Sequence, residues 1–554
     1  MNMQVKNSSR PLWHFHGGLH IDDHKAVSLQ QPLKALSLPD ILVVPLQQHI
    51  GEIPDLLVKA GDQVKKGQLI ADPGSYISAA LHAPTSGTVV DIAERVITHP
   101  SGLTSPCVII QPDGKDEWFA GLPEPLDYQT CSPAELGQRI RWAGIVGLGG
   151  ATFPSSVKLN PGPDKTIKTL IINGAECEPY ITCDDMLMQT RAADIISGIK
   201  IVMHMLSAEE CLIGVEDNKP LAIQALQQAL EADADARIEV VRIPTIYPSG
   251  GEKQLIRILT GKEVPSHGLP ANIGIVCHNV ATIVAIDDAI KRGKPLISRI
   301  VTVTGAGIRQ PGNYEVINGT PIGHLINQAG GLNADADRMI LGGPMMGHTL
   351  KNEQIPLTKG ANCILLTTKQ EIPPTSAPVA CIRCGKCAEV CPVQLLPQQL
   401  YWFAKARDLD KAQDYNLFDC IECGCCSHVC PSHIPLVQYY RYAKTEIWTK
   451  EEEKRKSDHA RQRHEFRQAR LERLEAEKKA RLRKSKEALE KKKSAGSDDK
   501  AVDPKKAAIE AAMKRAAEKK KKLQEAGQAP ANTSNLTEDQ LKQIEAAEKR
   551  RKGE

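Results

Sequence analysis

The chain has 554 residues, a net charge of +4, 25% charged residues and sixteen cysteines. That length holds about three or four domains. No apolar run approaches the ~18–20 residues that a membrane-spanning helix needs. Met1 to Gly18 also lacks the apolar core of a secretory signal, so a membrane role is expected only through partners, and the cysteines as thiols or metal ligands rather than disulfides. From Glu451 to Glu554, Lys and Arg exceed Asp and Glu by ten, which leaves the rest of the chain at −6. The basicity therefore belongs to the tail.

Residues 1–130 form an N-terminal region in which 40–95 alternate apolar and polar positions between turns. Ile41-Leu-Val-Val-Pro45, Leu57-Val-Lys-Ala-Gly61-Asp62, Val64-Lys-Lys-Gly67 and Ala83-Pro84-Thr-Ser-Gly87-Thr-Val-Val-Asp91 carry hairpin signals. These phrases resemble a biotinyl/lipoyl-type β-sandwich. A carrier domain of that kind needs a modifiable Lys at its hairpin tip, and Pro73 to His82 has none. The fold is expected without the swinging arm.

Residues 131–295 alternate helical and strand patterns, as in an α/β domain. Thr169 to Asn173 reads as a buried strand, Leu221 to Ala232 as an amphipathic helix, and Ile238 to Ile243 as a second strand. Ahead of them lies Gly144-Ile-Val-Gly147-Leu-Gly149-Gly150-Ala-Thr-Phe153-Pro154-Ser155-Ser156-Val-Lys158. Glycines let the backbone approach a phosphate and aim N–H groups at it. Lys158 can add a positive charge, and Phe153 can stack on a flat ring. An ordinary turn is the competing reading of such a loop taken alone. Three further stretches strengthen the binding reading: Asn173-Gly-Ala-Glu176-Cys177-Glu178, Tyr247-Pro-Ser-Gly250-Gly251-Glu252-Lys253 and His278-Asn279-Val-Ala-Thr282. Acidic side chains at a strand end suit ribose hydroxyls or the edge of a flavin ring.

Residues 296–370 begin with the β-rich Arg299-Ile-Val-Thr-Val-Thr-Gly305, continue through Gln310-Pro-Gly-Asn-Tyr314, and reach an expected helix from Ile322 to Ala329. This resembles the soluble ligand-binding β-grasp (SLBB-like) module. Pro373 to Pro378 reads as a linker near the start of a 371–445 domain. That domain holds Cys381-x2-Cys384-x2-Cys387-x3-Cys391-Pro392 and Cys420-x2-Cys423-x2-Cys426-x3-Cys430-Pro431. This is the bacterial spacing for [4Fe–4S] clusters, in which the fourth Cys of each run ligates the other cluster. Cluster 1 is then expected on Cys381, Cys384, Cys387 and Cys430, and cluster 2 on Cys420, Cys423, Cys426 and Cys391. Paired zinc sites are the competing reading. Cys425 breaks the rhythm and reads as a non-ligand beside a cluster. The remaining seven cysteines are scattered and read as buried thiols. Leu395 to Asp414, between the runs, is rich in helix formers, as in helical ferredoxin domains. The 446–554 tail, rich in Lys, Glu and Ala, is expected as exposed helix or disordered chain, interrupted at Pro504 and from Gly527 to Asn535. Its interleaved Glu and scarce aromatics argue for a solvated extension over nucleic-acid or anionic-lipid binding.

From Trp13 to Lys444 the chain closely resembles the C subunits of bacterial Rnf (Rsx) electron-transport complexes. The resemblance rests on Gly147-Leu-Gly-Gly-Ala-Thr-Phe-Pro154, Asn173-Gly-Ala-Glu-Cys-Glu-Pro-Tyr-Ile181, Tyr247-Pro-Ser-Gly-Gly-Glu252, Leu341-Gly-Gly-Pro-Met-Met-Gly347 and the two cysteine runs around Leu396-Pro-Gln-Gln-Leu-Tyr-Trp402. The family is similar in turn to the NADH-binding flavoprotein subunit of respiratory complex I. That similarity implies FMN on the Gly147–Gly150 loop (Gly147, Gly149, Gly150) with Lys158, Asn173 and Asn279, and a nicotinamide cofactor near Phe153, Glu176, Glu178 and Glu252. Leu148, Ala175, Cys177 and Lys253 depart from the complex I pattern.

The resemblance implies a multidomain α/β plus β protein that passes electrons between NAD(H), FMN and two [4Fe–4S] clusters. Its partners would be membrane subunits of an ion-translocating complex, and ferredoxin or another redox acceptor. It would sit peripherally on the cytoplasmic side of a bacterial inner membrane. A soluble diaphorase-type subunit and a flavin-free relay or docking subunit are the alternatives.

Overall fold

The computed structural model describes residues 10–162, 164–374, 376–494 and 504–525. The chain divides into one unit spanning residues 1–451 and a second from residue 452 onward.

The first unit is organised around a parallel sheet of four strands. In spatial order they are Ile238–Ile243, Glu210–Glu216, Thr169–Gly174 and Ile275–Asn279. The strands are apolar because helices cover both faces. Leu170 and Ile172 pack on one side with the helices Pro133–Trp142, Ala192–Leu206 and Val280–Lys291. Ile171 faces the other side, against Leu255 and Leu259 of the helix Glu252–Thr260. In chain order the strands lie 3-2-1-4, so the winding reverses between Thr169–Gly174 and Ile275–Asn279. In open α/β sheets this reversal leaves a crevice at the carboxyl ends of the two strands, where ligands bind.

Around this domain sit three others. A sandwich is built from a four-stranded sheet (Leu42–Pro45, Thr104–Pro112, Gly87–Val96, Gln63–Val64) and a three-stranded one (Asp55–Leu56, Leu69–Asp72, Leu81–His82). Leu42, Val44, Ile70, Leu81, Val89 and Ile110 fill its core. The expected β-grasp appears as a six-stranded sheet carrying the helix Ile322–Gln328. One of its strands, Lys34–Ala35, comes from far upstream and pairs in parallel with Tyr314–Glu315. The last domain is helical. Each cysteine run forms a loop and then a four-residue helix, Lys386–Glu389 or Cys425–His428, introduced by a glycine with φ of +82°. The helices Pro397–Ala406 and Leu409–Asp414 lie between the two runs.

The N-terminal stretch straps these parts together. Trp13 N–H donates to Ile258 O, Gly18 N–H to Val390 O, and Leu19 pairs with Tyr247. The final helix of the cysteine domain, Leu436–Ser494, continues into the second unit, where Pro504–Glu525 forms another helix. Along residues 459–491 the side chains are exposed and form ion pairs such as Arg483–Glu487, each worth a few tenths of a kcal/mol (~0.3). Among the described residues no helix is long and apolar enough to cross a membrane. The expected interruption at 527–535 and the first nine residues of the Met1 to Gly18 stretch lie outside the described residues.

Candidate functional site

Asn173 and Asn279 are register partners at the carboxyl ends of the two strands flanking the crevice. Each also organises backbone. Asn173 Nδ2 donates to Gly250 O (2.8 Å) while its Oδ1 accepts from Ala175 N–H (3.1 Å). Asn279 caps the helix Val280–Lys291 by accepting from Ala281 N–H (2.9 Å). That helix therefore points its positive N-terminus at the crevice, which favours anions there.

The glycine loop closes over this end. Gly147 N–H donates to Phe153 O (2.8 Å) and Ser155 N–H to Ile145 O (3.0 Å), so 147–153 forms a tongue. Leu148 N–H donates to Thr282 Oγ1 (3.0 Å), which ties the tongue to the helix start. A Cβ on Gly149 would sit 3.2 Å from Asn279 Cβ, and Gly150 has a φ of +122° with open space beside it. Both glycines are needed for close approach and for a left-handed backbone. Lys158, on the short helix after the tongue, is half-buried and paired with Glu252 (3.0 Å). Ser155 Oγ and His278 Nε2 are buried without a protein hydrogen-bond partner. His278 is held down to about 3 by burial and then by the Lys158 charge, so it stays neutral. A glycine cradle, a helix N-terminus, a lysine and two buried polar atoms left unpaired together fit a phosphate-bearing flavin.

The acidic residues sit differently. Glu176 has a φ of +47°. Its carboxylate accepts from Asp184 N–H (2.7 Å) and Asp185 N–H (3.3 Å), at the start of the helix Cys183–Thr190. Burial pushes it up to about 8. Asp184 in turn accepts from Asn279 Nδ2 (2.6 Å). Glu178 turns toward the β-grasp domain, where it accepts from Met345 N–H (2.8 Å) and Met346 N–H (3.0 Å). Beneath both, the buried Lys25 ammonium donates to the carbonyls of Glu176 (2.8 Å), Glu178 (3.0 Å) and Ile181 (2.5 Å). Burial, followed by repulsion from Lys219, lowers its pKa.

In the helical domain Cys391, Cys420, Cys423 and Cys426 line one cavity, walled by Leu400, Val437 and Tyr440. Three thiols of the second run thus meet the last thiol of the first, the donor set that a [4Fe–4S] cluster takes. Cys381, Cys384, Cys387 and Cys430 are the other four thiols of the two runs. Val379 N–H donates to Ser432 O (3.0 Å) and Ser432 Oγ to Ala380 O (3.0 Å). These bonds set Cys381 beside the end of the second run, where Cys430 lies. Burial, and then the nearness of Cys384 and Cys381, raises the Cys387 thiol.

The two sites share a seam. Tyr247 is 2% exposed. Its hydroxyl donates to Cys423 O (2.6 Å), beside the Glu178 carboxylate. Tyr247, Cys423 and Cys425 form one buried apolar cluster edged by Cys177 and Met345.

Four family descriptions match along the chain: the RnfC barrel sandwich hybrid domain over residues 13–115, the Nuo51 FMN-binding domain over 140–288, the SLBB domain over 300–349, and the 4Fe-4S dicluster domain over 380–434. The C subunit of the ion-translocating oxidoreductase complex of Vibrio cholerae serotype O1 is 48% identical over 551 residues, 98% of this chain and 69% of that protein. The chain belongs to this C-subunit family. The Pseudomonas aeruginosa member is 48% identical over 461 residues, 83% of this chain and 59% of its own length. The crystal structure of an air-oxidised NAD+-reducing [NiFe]-hydrogenase aligns over 50% of this chain and 54% of its own, with 21% identity and a TM-score of 0.40. The cofactors of this chain are FMN and [4Fe–4S] clusters.

The structure brings Gly147, Gly149, Gly150, Phe153, Asn173 and Asn279 to the crevice, with the Lys158–Glu252 pair beside it. It turns Glu176 and Glu178 onto backbone N–H groups of neighbouring elements. Lys25 and Asp184 escaped sequence reasoning. A single lysine in a mixed polar N-terminal stretch has no local signature, and Asp184 reads as ordinary first-turn chemistry of a helix.

Proposed function

We propose that this chain is the NAD(H)-facing iron–sulfur subunit of a membrane-bound ion-translocating oxidoreductase complex. It would be held peripherally on the cytoplasmic face of a bacterial inner membrane by the other subunits. The observation that carries the reading is the Tyr247 seam: Asn173 at the crevice holds Gly250 of the Tyr247 loop, and the Tyr247 hydroxyl donates to the carbonyl of Cys423.

When bound, the flavin supplies the conversion between hydride transfer and single electrons that the clusters relay. The tongue from Gly147 to Phe153 and the helix beginning at Val280 would hold its phosphate. Lys158 would place a positive charge there, released from or shared with Glu252. Asn173 and Asn279 would orient polar edges of the bound nucleotides. Phe153 would offer a face for a stacked ring. No side chain needs to act as a proton-transfer base for hydride transfer. Cys391, Cys420, Cys423 and Cys426 would bind the cluster nearest the crevice, and Cys381, Cys384, Cys387 and Cys430 the outer one.

Protein purified anaerobically should contain flavin and about eight irons with matching sulfide, as two [4Fe–4S] clusters require. NADH should then produce cluster EPR signals only when FMN is present. Zinc in place of iron overturns the reading. Cluster reduction that ignores FMN favours a flavin-free relay. Full recovery in the soluble fraction, when the sister subunits are co-expressed, favours a soluble diaphorase.

A further inference from the structure

The two cysteine runs differ at a position that the ligand spacing leaves free. After the left-handed glycine the first run has Lys386, which is exposed, and the second has Cys425, which is 0% exposed. Both residues open the short helix of their run. The surroundings explain the change of size. A Cβ on Gly385 would meet nothing within 4 Å, whereas one on Gly424 would lie 2.8 Å from Met345 O. A long cationic side chain has no exit there. A small apolar side chain such as alanine would satisfy the packing equally well, so the thiol calls for another reason.

Cys425 lines the same cavity as Cys391, Cys420, Cys423 and Cys426. It is buried with Cys423 and Tyr247. The two side chains pack against each other at the cavity wall, which puts the Cys425 thiol within reach of the Cys423 sulfur. Hydrogen bonds to cluster sulfurs are among the determinants of a [4Fe–4S] potential. A donor pulls negative charge from the sulfur, and the reduced cluster carries one more negative charge than the oxidised one. The donor therefore stabilises the reduced form more.

We propose that Cys425 is a positioning residue whose thiol, by hydrogen-bonding Cys423 Sγ, raises the reduction potential of the cluster on Cys391, Cys420, Cys423 and Cys426 without ligating it. The inference rests on the proposed function, in which this cavity holds a cluster. The exposed Lys386 side chain provides no such donor in the first run, so the two clusters are tuned apart by one residue.

The test uses the full chain, reconstituted anaerobically with FMN and both clusters, as wild type, Cys425→Ala, Cys425→Ser and Lys386→Ala. Iron and sulfide are assayed, and both cluster midpoints are read by EPR-monitored redox titration. Cys425→Ala should keep all its iron and lower one midpoint while the other stays in place. Cys425→Ser keeps a donor and should hold the wild-type midpoint, and Lys386→Ala should move neither. An unmoved midpoint in Cys425→Ala overturns the proposal. So do equal shifts in the Ala and Ser variants, which would make the effect one of packing. Loss of one cluster's iron in Cys425→Ala would show a ligand instead of a donor. A wild-type chain that assembles no cluster on the second run removes the parent reading as well, and does so before any variant is compared.

Discussion

The two cysteine runs carry the same ligand spacing in opposite surroundings. In the first, Ile382 to Lys386 is exposed throughout, and Ile382 is 66% exposed. In the second, Cys423, Cys425 and Cys426 are all buried, and Glu422 is engaged by Arg441 (2.7 Å) and Lys444 (2.8 Å). Spacing decides how a cluster is gripped, because it depends only on how a short loop folds around one face of a cube. Packing decides what the cluster faces. The second run lies against Tyr247 and Met345 of the flavin-side domains, and the Ile382 to Lys386 loop of the first faces solvent. Repetition in sequence has been converted into an inner and an outer site.

The strongest way to break this comparison is to remove one cluster at a time. Cys384→Ala should abolish the outer cluster and leave the inner one reducible by NADH. Cys423→Ala should leave the outer cluster assembled and reducible by dithionite, but no longer by NADH. EPR with each reductant reads both outcomes, and equal behaviour of the two variants would erase the inner–outer distinction. The crossed ligation is exposed by a second pair. Cys391→Ala, although it lies in the first run, should cost the inner cluster, and Cys430→Ala the outer one. Iron content shows the loss, and the surviving EPR signal shows which cluster remains.

Much of this was legible in the sequence where the determining interactions are local. The strand Thr169–Gly174 and the helix Pro220–Asp233 follow from apolar periodicity over consecutive residues. The cysteine spacing is a loop-scale code. What the sequence hides is non-local. Lys34–Ala35 joins a sheet whose other strands begin some hundreds of residues later, and no periodicity within a two-residue strand announces it. The acids after Asn173 show a subtler limit. A carboxylate beside a strand end reads alike whether it binds a nucleotide or accepts backbone N–H groups. Only the fold reveals that Glu176 and Glu178 reach Asp184, Asp185, Met345 and Met346.

Lys25 sharpens the comparison from the flavin side, since its ammonium holds the acidic turn from Glu176 to Ile181. Lys25→Met should leave three buried carbonyls short of a donor and cost about 3 kcal/mol, the upper end for buried acceptors left unsatisfied. Urea unfolding measures the loss. FMN content should fall with it, while iron content stays unchanged. A variant that lost iron as readily as flavin would mean that the turn supports both sites.

A smaller effect should come from His278, again on the flavin side. Its pKa is depressed to about 3 by burial and the Lys158 charge, against an ordinary 6.5. Between those values the unfolded chain binds a proton that the folded chain refuses. Stability from this group is therefore complete above about pH 6.5 and declines as pH falls, by at most about 1.4 kcal/mol per pH unit. His278→Gln should flatten the slope of unfolding free energy between about pH 6.5 and 5. An unchanged slope would mean that His278 is hydrated enough to titrate normally.

Tyr247 tests the seam itself with the mildest change. Tyr247→Phe keeps the ring packed between Cys177, Met345 and Cys425 and removes only the hydroxyl that donates to Cys423 O. The carbonyl loses one buried partner, a cost of about 1 kcal/mol, so both clusters should still assemble. Because the Tyr247 hydroxyl bonds the second run, any shift in potential should be confined to the inner cluster. Reduction of the outer cluster by NADH should slow only as far as the inner one does. Stopped-flow absorbance with NADH, set beside EPR titration of both midpoints, separates the two effects. A change at the outer midpoint would mean that the two runs are coupled through the packing of the helical domain.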